Sequence, residues 1–463
     1  MSHPPLAWAG VGQVSPSERR LVTDPVTGTL LTFLTSEAKG DSKIYQTHPD
    51  WTSDGKWVVF RSRRGGGQAF AVNEDSGKIV QLTEKGFLGM LSVSRLRMKL
   101  YYMRDLGRPS MPDLGPGAPP PAGLGNNDEV ARREAAARPR FIRPKGPFEI
   151  VEVDLEKLFA DVESGHVREA SAYERSCGTT PDGMHASGNM GLDSTEAFAY
   201  FGIDGQDLAS RLPAGTPPAQ RFGPRSMGAG PSGLASMNLA TGETRIITVV
   251  PFQIGHVQTN PWVPGEIVFC WETGGKAPQR TWTVMADGSG LRPLYPEASF
   301  EWITHEAVIT RDEVALAILA HRHPGVPKDD PWGQSGTAEH PSGVGIVNLR
   351  THEMRIIGQV PLGNPGRSIW HVNGSADGRW AVADDFLYRL WLIDRHTGEM
   401  ILLADLGHKT TAADHIHPTF NAAGTQVEVQ TAMIAPDSRT LNICVVPVPK
   451  TWLARTYSDR APN

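Results

Sequence analysis

Residues His48 to Thr83 read HPDWTSDGKWVVFRSRRGGGQAFAVNEDSGKIVQLT. Two strand-length apolar runs, Trp57-Val58-Val59-Phe60 and Ala69-Phe70-Ala71-Val72, lie between the turns Ser53-Asp54-Gly55 and Asp75-Ser76-Gly77, and a further run ends at Gln81-Leu82-Thr83. Short runs joined by Asp-Gly-type turns predict two hairpins, and two hairpins make one four-stranded antiparallel sheet.

Working outward, the unit recurs imperfectly along the chain. A second copy starts near Gly89, with strands at Lys99-Leu100-Tyr101-Tyr102 and Phe148-Glu149-Ile150-Val151. A third holds Asp182-Gly183, Ala197-Phe198-Ala199-Tyr200 and Leu234 to Leu239. A fourth starts at His256, with Ile267-Val268-Phe269-Cys270, Trp282-Thr283-Val284 and Asp287-Gly288. A fifth starts at His305, a sixth at His371 with Asp377-Gly378, and a seventh at His417, which ends without a fourth strand. Thr27-Gly28-Thr29-Leu30-Leu31-Thr32-Phe33-Leu34-Thr35 reads like the closing run Ser76 to Thr83. The expectation is an all-β, seven-bladed β-propeller of four-stranded antiparallel blades whose N-terminal strand closes the last blade. Such closure removes free sheet edges. Residues 25–450 form the propeller, 1–24 an N-terminal extension and 451–463 a C-terminal tail. Insertions at 104–146, 203–230 and 321–341 each fall between the second and third strands of a blade. That connection emerges on the face where the innermost strand starts, so loops and the repeated histidines share one mouth.

Composition agrees. The chain has 463 residues, 49 Gly, 37 Pro and 39% hydrophobic residues, with no apolar run near the roughly 20 residues a membrane span needs. A net charge of -5 gives no general attraction to nucleic acid or anionic membrane. Cys177, Cys270 and Cys444 have no paired spacing and read as reduced packing residues. The start, Met1-Ser2-His3-Pro4-Pro5, lacks the segments of a secretory signal, so the expected location is cytoplasmic, or periplasmic or secreted if a leader was removed.

The starts of successive inner strands bring His48, His185, His256, His305, His371 and the pair His415/His417 toward one axial funnel. In an extended strand residues i and i+2 share a face, so His415 and His417 would present two imidazoles side by side, half of a metal site. A single histidine at a blade edge also serves simply to tie blades together by hydrogen bonds, the reading that suits His48 and His185 best.

The segments Gly255-His256, Phe269-Cys270-Trp271-Glu272, Arg280-Thr281-Trp282-Thr283-Val284-Met285-Ala286-Asp287-Gly288-Ser289, Thr304-His305-Glu306, Trp370-His371 and His415-Ile416-His417-Pro418-Thr419-Phe420 resemble the bacterial oligogalacturonate lyases in order and spacing. That family consists of seven-bladed propellers with a manganese ion in the funnel. The resemblance implies that His305, His415 and His417 hold a divalent metal, most simply Mn2+, and that His256 is the base, with Arg280 matched directly. It also implies a fourth ligand, glutamine, where this chain has Ala412, and an arginine where it reads Ser232-Gly233-Leu234. Water, Asp414 or His371 would complete the shell in place of Ala412.

The chemistry implied is β-elimination from a uronic-acid oligosaccharide or polysaccharide, giving an unsaturated uronide. Negative charge gathers on the substrate carboxylate in the transition state, where a metal or arginine stabilises it. Histidine, with an ordinary pKa of about 6.5, suits the base. Arg63, Arg64, Arg104 and Arg225 sit in or beside the loops of the same mouth and are candidate carboxylate partners, with His371, His185 and His48 as further substrate contacts. Alternatives are a lyase for a different uronide, such as a rhamnosyl-glucuronate end group, and a non-catalytic propeller like the TolB repeats acting as a binding platform. No paired carboxylates and no Gly-x-Ser-x-Gly elbow suggest a hydrolase.

Overall fold

The computed structural model describes residues 10–106, 147–204, 206–221, 227–273, 277–298, 301–321, 342–360, 368–407 and 415–457. Seven antiparallel sheets stand in a ring, five of four strands and two of five, the β-propeller expected. Blade 1 is built from Asp41–Lys43, Trp57–Ser62, Gln68–Asn73 and Ile79–Gln81. Blades 2 to 6 begin with the inner strands Phe87–Val93, His185–Leu192, Ile254–Thr259, Glu301–Thr310 and Ile369–Gly374.

The ring closes as the sequence suggests. Blade 7 takes Thr419–Phe420, Gln426–Thr431 and Asn442–Pro447 from the C-terminal end and Leu30–Phe33 from the N-terminal end, with Thr32 opposite Val445 and Phe33 opposite Cys444. The region read as an N-terminal extension also supplies strands. Arg20–Thr23 adds a fifth strand to blade 7, and Val14–Ser15 adds one to blade 1.

The apolar runs are continuous rather than alternating because each blade is covered on both faces. In Trp57–Ser62, Trp57 and Val59 pack toward blade 2, whereas Val58 and Phe60 pack toward Ile443 and Val445 of blade 7. At the Asp-Gly turns Gly55 and Gly378 have φ of 70° and 77°, the left-handed region that glycine enters without a Cβ penalty.

A helix that sequence reading passed over, Leu155–Ser164, follows the third strand of blade 2. Asp154 caps it by accepting from the Lys157 N–H at 3.0 Å, Gly165 ends it, and Phe159 stacks on Trp57 at 4.1 Å. Most of the 104–146 insertion and nearly all of 321–341 lie outside the described residues.

One charged cluster sits in the closure seam between blades 1 and 7. The buried Lys43 ammonium donates to Ile44 O at 2.7 Å, Asp50 at 2.9 Å and Thr419 Oγ1 at 2.8 Å, with Glu428 4.0 Å away. Burial and the facing Asp50 push the Glu428 carboxyl well above its ordinary range, so it stays protonated. Lys43→Met leaves Asp50 buried without its cation. The expected loss of unfolding free energy is about 3–5 kcal/mol, read by urea denaturation; a change under about 1 kcal/mol would show that the seam does not depend on this cluster.

Candidate active site

At one mouth of the channel the inner strands break register with their neighbours. The interruptions fall between Gly255 and Gln258, between Thr304 and Glu306, and between Ile369 and Val372. His256, His305 and His371 occupy those three interruptions. A bulge of this kind turns a side chain out of the ladder and re-aims it, here toward the axis. The backbone is strained to do so. His256, His305 and His417 have φ of 47°, 37° and 47°, a conformation that costs a non-glycine residue about 1–3 kcal/mol.

The result is a chain of imidazole contacts. Ring centroids lie 5.4 Å apart for His256 and His305, 4.1 Å for His305 and His371, 3.9 Å for His371 and His417, and 5.6 Å for His371 and His415. Of the histidines expected at the funnel, the structure therefore gathers His256, His305, His371, His415 and His417. Residues 415–418 precede the strand Thr419–Phe420 instead of lying in it, so the side-by-side strand pair is not formed; both rings lie against His371 instead.

His48 and His185 stay outside the cluster. An extra turn, closed by the His48 N–H to Tyr45 O bond at 2.9 Å, shifts the register of blade 1 and delivers Tyr45 to the place His48 would take. His48 lines a cavity with Ser92, Arg95, Glu196 and Thr259, its Nδ1 2.7 Å from Thr47 Oγ1. His185 pairs with Asp204 across blade 3 at 3.2 Å.

The proton positions of several rings follow from their partners. His305 Nδ1 lies 2.6 Å from the Trp370 carbonyl, which only accepts, so Nδ1 carries the proton and Nε2 the lone pair. His371 Nδ1 lies 2.9 Å from the buried Asp384 carboxylate, which fixes the same tautomer. Gln430 Oε1 accepts from the Lys43 N–H at 3.1 Å while its Nε2 donates to His415 O at 2.8 Å and to His417 Nδ1 at 2.9 Å. Neutral His417 thus carries its proton on Nε2. Burial above all, helped by surrounding cationic and imidazole groups, holds His305, His371 and His417 well below the ordinary imidazole range.

His256 has a different setting. Its Nδ1 lies 3.2 Å from Glu306 Oε1, and Arg280 holds the same carboxylate through Nε at 3.4 Å. Burial pushes the Glu306 carboxyl up, but His256 and Arg280 outweigh it and keep it ionised below its ordinary value. Nδ1 thus faces an acceptor, Glu306, and a donor, Arg280 Nη2 at 3.2 Å, while Nε2 faces the Tyr45 hydroxyl at 3.2 Å and the Glu272 carboxylate at 3.4 Å, so these contacts fit either tautomer. With the proton on Nδ1, toward Glu306, the Nε2 lone pair faces the funnel. Arg280 Nη2 also lies 3.8 Å from Glu272.

The other arginines divide sharply. Arg64 is tied to Asp41 and Glu18, both at 2.8 Å, and supports the fold. Arg104 bridges Glu149, Glu174 and the Tyr102 hydroxyl and so already has its carboxylates. Arg63 is exposed on the loop, and Arg225 lies outside the described residues, as do Ala412 and Asp414. Arg61, two residues before Arg63, donates to Lys43 O at 2.8 Å and sets its charge near His417 and His48. Tyr45, Asp384 and Gln430 were not singled out from sequence, and no local motif marks them.

No family model and no curated protein sequence matches this chain. Among solved structures it is similar to an oligogalacturonate lyase in complex with manganese, at TM-score 0.67 and 16% identity over 96% of this chain and 100% of that one. It is also similar to an oligogalacturonate lyase from Vibrio parahaemolyticus, at TM-score 0.66 and 17% identity with the same coverage. TolB from Acinetobacter baumannii aligns at TM-score 0.34 and 10% identity, over 91% of this chain and 66% of that one, which is too low to carry the binding-platform reading. These likenesses bear on the fold alone.

Proposed function

We propose that this chain is a carbon–oxygen lyase that cleaves a uronic-acid-containing oligosaccharide or polysaccharide by metal-assisted β-elimination, releasing an unsaturated uronide. The observation that carries this reading is the His256–Glu306–Arg280 group set beside four buried histidines, with strained backbone at His256, His305 and His417. A scaffold gains nothing from positive φ at His256, His305 and His417, whereas a site that must aim imidazoles at one point does.

His256 is the base. Its Nε2 takes the proton beside the substrate carboxylate, and Glu306 on Nδ1 stabilises the imidazolium that forms, with Arg280 fixing both. Donor atoms of His371, Asp384 and His415 lie within 4.8 Å of one another, close enough to hold a divalent metal, and His305 and His371 present Nε2 lone pairs with their Nδ1 atoms held from behind. We assign His305, His415 and His417 to the metal, with His371 in the place that Ala412 cannot fill. Of the four, His417 is the one whose hydrogen bond to Gln430 must change on loading. Such an ion, when bound, supplies positive charge against the substrate carboxylate as its negative charge grows.

The test is ultraviolet absorbance at the band of a conjugated uronide, with purified protein and a panel of uronide oligosaccharides, before and after a chelator. A rise abolished by chelation and restored by Mn2+ is expected, together with a melting temperature that climbs with Mn2+ concentration. Metal-loaded protein that leaves every uronide intact would return the reading to a binding platform.

A further inference from the structure

Tyr45 stands in the middle of the histidine cluster. Its ring centroid is 4.9 Å from His256, 5.3 Å from His417, 6.2 Å from His371 and 6.5 Å from His305, and its hydroxyl is 3.2 Å from His256 Nε2. The residue is half-buried, and its hydroxyl lies against His256 inside the cluster. Its backbone is pinned on both sides. Lys43 N–H donates to Gln430, Lys43 O accepts from Arg61, and Gln46 O accepts from Asn373 Nδ2 at 2.7 Å. The extra turn of blade 1 thus places a hydroxyl, rather than another imidazole, against the basic nitrogen.

Resting on the lyase reading above, we propose that Tyr45 is the proton donor to the leaving oxygen, working as a pair with His256. β-Elimination leaves two needs that one base does not meet at once: removal of the proton beside the carboxylate and protonation of the departing alkoxide. His256 Nε2 takes the proton as its C–H bond breaks. That electron pair forms the new C=C bond, the bond from the next carbon to the glycosidic oxygen breaks, and the oxygen takes the Tyr45 proton. The phenolate then regains a proton from the imidazolium beside it, so enzyme groups return to their starting state and one proton has moved from carbon to oxygen. No co-reactant is required. A phenol stays protonated at neutral pH, the more so here because burial pushes the Tyr45 hydroxyl well above its ordinary range, and it can pass its proton as the leaving oxygen gains negative charge.

The experiment compares two substrates in wild-type protein and in Tyr45→Phe, which keeps ring and packing. One is a uronide whose leaving group is a sugar alkoxide; the other carries fluoride at the same carbon, which departs without a proton. The common readout is the absorbance of the unsaturated product, with melting temperature confirming the fold. For the glycoside, Tyr45→Phe is expected to lower kcat about 10²–10⁴-fold, and for the fluoride by no more than about threefold. Equal losses on both substrates would assign Tyr45 to positioning alone and overturn the proposal, as would a loss below about tenfold on the glycoside. A wild-type protein inert on both overturns the lyase reading itself, a different failure from a Tyr45→Phe variant as fast as wild type.

Discussion

His256→Asn is expected to slow product formation by about 10²–10⁴-fold, the usual worth of a positioned base, while leaving the melting temperature close to wild type. Asparagine is the right replacement for two reasons. Residue 256 has φ of 47°, and Asn enters the left-handed region more easily than most residues. Its short amide can still donate to Glu306, so the buried carboxylate keeps a partner and the Arg280 pairing persists. The change therefore removes the Nε2 lone pair with little else. Progress curves at the unsaturated-uronide band and a thermal melt on one preparation decide it. A variant within about tenfold of wild type would move the base elsewhere in the funnel, and a variant with a collapsed melt would show His256 to be structural.

Glu306→Gln separates base strength from base position within the same group. The amide keeps a hydrogen bond to His256 Nδ1 but no longer stabilises the imidazolium, so kcat should fall with KM little altered. A rise in KM alone would instead place Glu306 in substrate binding.

How much of this was legible in the sequence follows from what each feature depends on. The blade pattern and the closure by Leu30–Phe33 rest on local apolar runs and Asp-Gly turns, which sequence displays directly. The positions of His256, His305 and His371 were legible because each stands at the start of an inner strand. His48 stands at a similar place, yet it lies outside the cluster. One extra turn, set by the anchors on Lys43 and Gln46 from blades 7 and 6, exchanges His48 for Tyr45. Nothing local to residues 41–50 announces those distant partners. The His415-x-His417 pair fails similarly. An i, i+2 argument holds for extended backbone, and His417 at φ of 47° is not extended. Arg64 and Arg104 looked free because their carboxylates, Glu18, Asp41, Glu149 and Glu174, come from distant parts of the chain.

Lowering the pH from 7 to 5 in the presence of a chelator should destabilise the fold by several kcal/mol, because the neutral histidines that serve the site cannot take up protons without leaving their burial. His48 is pushed down to about 4, by burial first and by Arg95 second. His305, His371 and His417 are also held well below the ordinary imidazole range, chiefly by burial. The unfolded chain binds a proton on each of these near pH 6.5, whereas the folded chain does not. Their stabilisation is therefore complete above about 6.5 and is lost as pH falls toward the folded values. His48 alone accounts for about 3 kcal/mol between pH 6.5 and 4, and each such group steepens the slope by about 1.4 kcal/mol per pH unit. Glu428, Asp41 (pushed up to about 6 by burial) and Glu297 work the opposite way. Their raised pKa values favour the fold at low pH and offset up to three of the four histidines. The net slope near pH 5 is then about 1–3 kcal/mol per unit. Urea titrations at pH 7, 6 and 5 measure that slope directly, and His48→Gln should remove one group's share. A His48→Gln variant whose slope equals the wild-type slope would show that His48 is already protonated in the folded chain.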